Sequence, residues 1–138
     1  AERLRLLAAE RHAVLPEIIS KEPLGPAVRH GDNNWGDIVR WVLYALISGE
    51  EYGVTSANIE ELSKSSTNPD VQRMLGATDD YGAMLGLDKE WAKRAIAASG
   101  NYGEIFAANI GEQTPIGLPR GLNALWTQGG LMYAMPFR

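Results

Sequence analysis

The sequence predicts an α+β chain, mostly helical as it stands, with two or three short extended segments. Three observations carry this reading. An apolar run over residues 35–51 places Trp35, Ile38, Val39, Val42, Leu43 and Leu46 on one broad helical face. Beyond residue 88, two runs are each opened by an Asp or Asn and closed by a glycine, which is the punctuation of capped helices. Residues 26–30, bracketed by Gly25 and Gly31, alternate well enough to form a short strand. Isolated strands are marginal, so these segments need either a helical layer beneath them or strands from outside this chain.

In chain order, residues 2–11 carry Leu4, Leu7 and Ala8 at helical spacing among charges, which predicts one short amphipathic helix. Residues 12–19 are expected to be a strand and its exit. Pro16, Pro23 and Pro26 then push their preceding residues toward extended geometry, so no helix runs through this connection. The main helix is expected over residues 35–51, with Asn34 as its cap and Asp37 close to a capping-box position. Trp41, Tyr44 and Ile47 widen its apolar face past half the circumference, so burial on more than one side is expected. Gly53 ends it.

A weaker helix follows from residue 55 or 56 to about residue 63, with Ile59 and Leu62 inward. Residues 64–68 are a polar loop, and Pro69 suits the first position of another turn bearing Val71, Met74 and Leu75. Residues 78–87 contain two glycines and predict an irregular stretch or a short helical turn. Asp88 caps a helix over 89–99 with Trp91, Ala95, Ile96 and Ala98 inward, stopped by Gly100. Asn101 caps residues 102–110, with Glu104 completing an N-x-x-E box, and Gly111 stops it. Residues 113–120 form a loop. Residues 121–133 suit a last helix interrupted at Gly129 and Gly130, before an extended tail. There is no internal repeat.

Composition narrows the function. At 138 residues the chain is one domain or a piece of one, long enough to bury a core. Hydrophobic content of 45% and charged content of 22% fit a globular protein. A net charge of −4 without a basic cluster argues against nucleic acid as the main partner. The longest apolar run, residues 41–47, falls far short of the roughly 18 residues a membrane span needs. Absent cysteine removes disulfide, thiol and Cys-zinc chemistry but chooses no compartment. The first residues are charged and their helix is short, so they do not read as a signal peptide. An exported protein would then be seen in processed or truncated form.

No catalytic constellation emerges. His12 and His30 lie on different extended segments, without a close-spaced second ligand, so a metal site is not expected. No G-x-S-x-G elbow or nucleophile–base pair is present. The pairs Glu50-Glu51, Glu60-Glu61 and Asp79-Asp80 are adjacent in sequence, so their side chains diverge onto solvated faces. Arg29, Arg40 and Arg120 are each apt to hold a carboxylate, with surface ion pairing as the plainer role. Trp35, Trp41, Trp91 and Trp126 are expected in the core first and as ligand platforms second. No cofactor is implied.

The runs ISKEPLGPAVRHGDNNWGDIVRWVLYALISGEEYGVTS, NPDVQRMLG, GLDKEWAKRAIAASGNYGEIFAANIG and GLNALWTQGGLMYA carry more. Together they closely resemble the C-terminal part of periplasmic general L-amino-acid-binding proteins that serve ABC importers, over nearly the whole chain. The resemblance implies a two-lobed α/β fold, periplasmic location, an L-amino acid ligand and an ABC permease as partner, and no enzymatic activity. It implies that residues 1–17 are a remnant of lobe 2, that residues 18–25 are a hinge crossing, and that residues 26–138 complete lobe 1. Lys21, Glu22 and Pro23 are the candidate ligand-cleft or hinge residues. The grip on the ligand's carboxylate and amino group would lie upstream of Ala1, because a family member is roughly two to three times longer than this chain, as two lobes of ordinary domain size require. Apolar faces meant for a missing sheet imply self-association, by segment exchange between copies. The alternative is an autonomous helical interaction module that no longer binds solute.

Overall fold

A computed structural model of the chain describes residues 13, 15, 17, 19, 20 and 23–138. Within them run α1 Asn33–Glu51, α2 Ile59–Ser65, α3 Pro69–Met74, α4 Gly82–Leu85, α5 Trp91–Ser99 and α6 Tyr102–Asn109. Two 3-10 turns, Gly121–Asn123 and Trp126–Gln128, precede an irregular tail. The helix expected over residues 2–11 lies outside the described residues, as do residues 12, 14, 16 and 18 of the expected first strand.

Helix α1 is the axis on which α4, α5 and α6 pack, while α2 packs against α3 and α5. It begins earlier than expected because Asp32, not Asn34, caps it. The Trp35 N–H donates to Asp32 Oδ1 at 3.1 Å. Asp37 is therefore not a capping partner and pairs with Arg40 at 3.1 Å. At the other end Gly53, at φ 67, permits a Schellman close: Gly53 N–H donates to Glu50 O and Val54 N–H to Gly49 O.

The core lies under the C-terminal half of α1. Ala45, Val54, Ile59, Val71, Met74, Leu75, Trp91, Ala92, Ile96 and Phe137 form one buried cluster. Each large side chain removed from water there contributes about 1.5–3 kcal/mol. The first half of α1 is different. Its apolar face is only half-buried, and Trp35 remains 53% exposed. Trp126 is 52% exposed, so two of the four tryptophans expected in the core are outside it. On α5, Ala98, expected inward, is exposed, and Ala92 is buried. Ala92 sits four residues before Ile96 on the face toward α1, whereas Ala98 lies about 200° around from Ile96.

Local hydrogen bonding explains the remaining boundaries. Thr55 N–H donates to Asn58 Oδ1 at 2.7 Å and Asn58 N–H to Thr55 Oγ1 at 3.2 Å, making a turn that delays α2 to Ile59. Pro69 opens α3 as expected, and Asn68, read from the sequence as the end of a polar loop, caps it. Asp88 accepts from Glu90 N–H at 2.9 Å and pairs with Arg94, so residues 89–90 form a turn before α5 proper. The capping box of α6 is complete, with Glu104 N–H donating to Asn101 Oδ1 at 2.9 Å and Asn101 N–H to Glu104 Oε2 at 2.8 Å.

Two further expectations fail, the first because no partner strand is present among the described residues. Residues 26–30 form no strand, and Asp32 N–H closes a turn onto Arg29 O at 3.3 Å. Among the described residues β pairing reduces to two isolated parallel bridges, Gly111 with Leu118 and Leu125 with Met132. The last helix expected over 121–133 is instead two 3-10 turns. Gly130 folds back so closely that a Cβ there would sit 1.9 Å from Ala124 O, a contact no continuous helix makes.

Candidate functional site

Of the three expected cleft residues, Lys21 and Glu22 lie outside the described residues, and Pro23 is exposed. The segment that follows, including the 93% exposed Leu24, leads to two open grooves along the first half of α1. One is polar, about 550 Å³, and lined by Arg29, His30, Asp32, Asp37 and Arg40 among others. Its neighbour is apolar, about 230 Å³, and lined by Pro26, Val28, Gly36, Val39 and Leu43, with Arg40 at the edge they share. Gly36 faces Val28, and a Cβ there would meet Val28 Cγ2 at an ordinary contact distance of 3.5 Å.

The charges do not assemble into chemistry. Arg40 is held by Asp37, and Asp32 is spent on the cap. Arg120, a candidate carboxylate holder, is occupied by Glu50 at 2.7 and 3.0 Å. No group of three or more metal-ligating side chains forms among the described residues. Glu50 and Glu51 diverge, but not onto the solvated face expected: Glu50 is 14% exposed and meets Arg120, and Glu51 accepts from Trp126 Nε1–H at 3.3 Å.

What the polar residues do is hold the helical body rigid behind these grooves. Glu104 accepts from Ser56 N–H and Oγ–H, the latter at 2.7 Å, while Asn101 Nδ2 donates to Val54 O at 2.9 Å. Burial would raise the Glu104 carboxyl, but the bonds from Ser56 and Asn101 outweigh it and hold it below the usual carboxylate range. Lys93 reaches Glu60 at 3.1 Å and joins α5 to α2. Sequence reasoning missed the tail. Phe137 sits between Trp41 and Trp91, at ring-centre distances of 5.5 and 6.1 Å, and its carbonyl accepts from Arg73. The only signal was an aromatic residue in a stretch otherwise read as extended.

No protein-family model matches the chain. The glutamate/glutamine/aspartate/asparagine-binding protein BztA of Rhodobacter capsulatus is 65% identical over 138 residues, all of this chain and 41% of its own. The general L-amino acid-binding periplasmic protein AapJ of Rhizobium johnstonii is 56% identical over 99% of this chain and 40% of its own. This chain is homologous to periplasmic amino-acid-binding proteins of ABC transporters. A putative amino-acid ABC transporter-binding protein of Escherichia coli is 47% identical over the whole chain. Among solved structures, an ABC transporter periplasmic binding protein from Brucella ovis with glutathione bound superposes with a TM-score of 0.91 at 54% identity. That match covers 99% of this chain and 43% of the other. The chain thus spans about 40% of the length of the curated relatives it matches. Its helical body is part of a periplasmic-binding-protein fold.

Proposed function

We propose that this chain is the C-terminal part of an extracytoplasmic, periplasmic solute-binding protein that takes an L-amino acid and delivers it to an ABC permease. The observation that carries this reading is the superposition on the Brucella ovis binding protein over nearly all of this chain and under half of that one. In this reading residues 1–17 are the remnant of lobe 2, residues 18–25 the hinge crossing and residues 26–138 the completion of lobe 1. Lys21, Glu22 and Pro23 lie at the cleft or hinge. The half-covered first half of α1 and the unpaired residues 26–30 support it, since a chain lacking its sheet leaves such surfaces open.

The ligand class follows from the relatives' names and from general chemistry. Glutathione carries a free α-amino-acid head on its γ-glutamyl end, so one recognition of ammonium and carboxylate serves it and glutamate alike. The protein works by closure: greater affinity of the closed lobes for ligand drives the hinge, and no bond is made or broken. It is not an enzyme. The principal ligand contacts lie in the portion of the relatives outside this chain. Isothermal titration with L-amino acids checks that placement: a folded sample gives no heat, whereas micromolar binding would overturn it.

The open apolar surface favours association of the isolated chain by segment exchange between copies. Light scattering is expected to show dimers or larger species, and a compact monomer at every concentration would contradict this. A second reading, an autonomous helical interaction module, draws support from the complete capping of α6 and the core under α1.

A further inference from the structure

Away from the grooves, a separate cleft of about 210 Å³ opens where the C-terminal end of α1 meets α3 and the tail. The last turn of α1 carries Glu50 and Glu51 and no basic side chain. Carboxylates at that end oppose the helix dipole, so each needs a counter-charge. Glu50 has one in Arg120. Glu51 has none: among the described residues its carboxylate pairs with no cation and accepts only from the indole N–H of Trp126, at 3.3 Å. It lines the cleft.

The cleft's other walls suit a cation. Trp126 and Tyr133 meet edge to face, their ring centres 6.2 Å apart, and Tyr52 adds a third ring. Aromatic faces attract ammonium groups, and quaternary ammonium ions most distinctively. Asp70 accepts from the Tyr52 hydroxyl at 3.4 Å and is neutralised by Arg73 at 2.7 Å. The Tyr52 phenol is pushed up, by burial first and then by the charges of Asp70 and Glu51, while Arg138 pulls it down. Ser48, only 4% exposed, also lines this cleft.

We propose that this cleft is a binding site for a small organic cation, an alkylated ammonium, held by Glu51 and the Trp126, Tyr133 and Tyr52 rings. Arg138, which also lines the cleft and pairs with no carboxylate among the described residues, opposes the ligand. The site is independent of amino-acid recognition between lobes, so its failure leaves that reading untouched.

The test is calorimetric titration of the 138-residue chain with tetramethylammonium chloride, against sodium chloride at equal ionic strength. Saturable binding in the millimolar range or tighter is expected for tetramethylammonium alone. Glu51→Gln should weaken it about tenfold, and Arg138→Gln should strengthen it. Trp126→Leu, at an exposed side chain, is the second variant and should also weaken binding, with circular dichroism reporting the fold of each. Heats that never saturate or that match sodium, or binding left intact by Glu51→Gln or Trp126→Leu, would overturn the proposal.

Discussion

Arg120 holds Glu50 in a two-point grip across 70 residues of sequence, Nη1 to Oε1 at 2.7 Å and Nη2 to Oε2 at 3.0 Å. The two side chains are 26% and 14% exposed. The guanidinium also lies over the rings of Tyr102 and Phe106 and donates to Asn123 O. One side chain thereby ties the segment after α6 to the last turn of α1. Arg120→Ala strands a largely buried carboxylate and should cost about 2–4 kcal/mol. Arg120→Lys should recover only part of this, because an ammonium lacks the fork and the planar stacking face. Urea midpoints measure both, and a lysine variant as stable as the parent would contradict the two-point geometry.

Phe137 closes the core between Trp41 and Trp91. Phe137→Ala should destabilise by about 3–5 kcal/mol and red-shift the tryptophan emission as water reaches Trp91. A loss below about 1 kcal/mol would mean that the tail does not stitch the helices together.

Glycine positions separate close approach from mere flexibility. Gly130→Ala drives a Cβ into Ala124 O and should cost several kcal/mol, because the obstacle is backbone. Gly36→Ala meets only Val28 Cγ2, at 3.5 Å, and should stabilise the isolated chain by about 0.5–1 kcal/mol as a helix-interior exchange. Thermal melts of the two variants should therefore shift in opposite directions.

Glu104 sets a pH dependence. Its folded-state pKa is depressed, so its contribution is fully present above the unfolded carboxyl value of about 4.3 and is lost as pH falls through the folded value. Stability measured below about pH 4.3 should fall more steeply for the parent than for Glu104→Gln. Parallel profiles would mean that the capping box and the Ser56 bonds do not favour the charged form.

Legibility followed how local each determinant was. The α6 box, Pro69 at the start of α3, and Gly53 beyond α1 were readable because each signal sits within a few residues of the helix it bounds. The cap of α1 was misplaced by two residues because Asp32, Asn33 and Asn34 are chemically alike, and only the backbone turn at Gly31 selects Asp32. The Arg120–Glu50 grip and the Phe137–Trp41 contact bridge 70 and more residues, and no periodicity carries such pairings. The strand at 26–30 was a sound reading of its residues, but among the described residues nothing pairs with it.

The most direct measurement joins this chain to the portion of the Rhodobacter capsulatus relative that it does not cover, in that protein's natural order. The chimera is then titrated with L-glutamate beside the isolated chain and the intact relative. Saturable micromolar binding by the chimera, with none by the isolated chain, is the predicted result. A folded chimera that binds no L-amino acid while the intact relative does would contradict the claim that this chain completes a solute-binding protein.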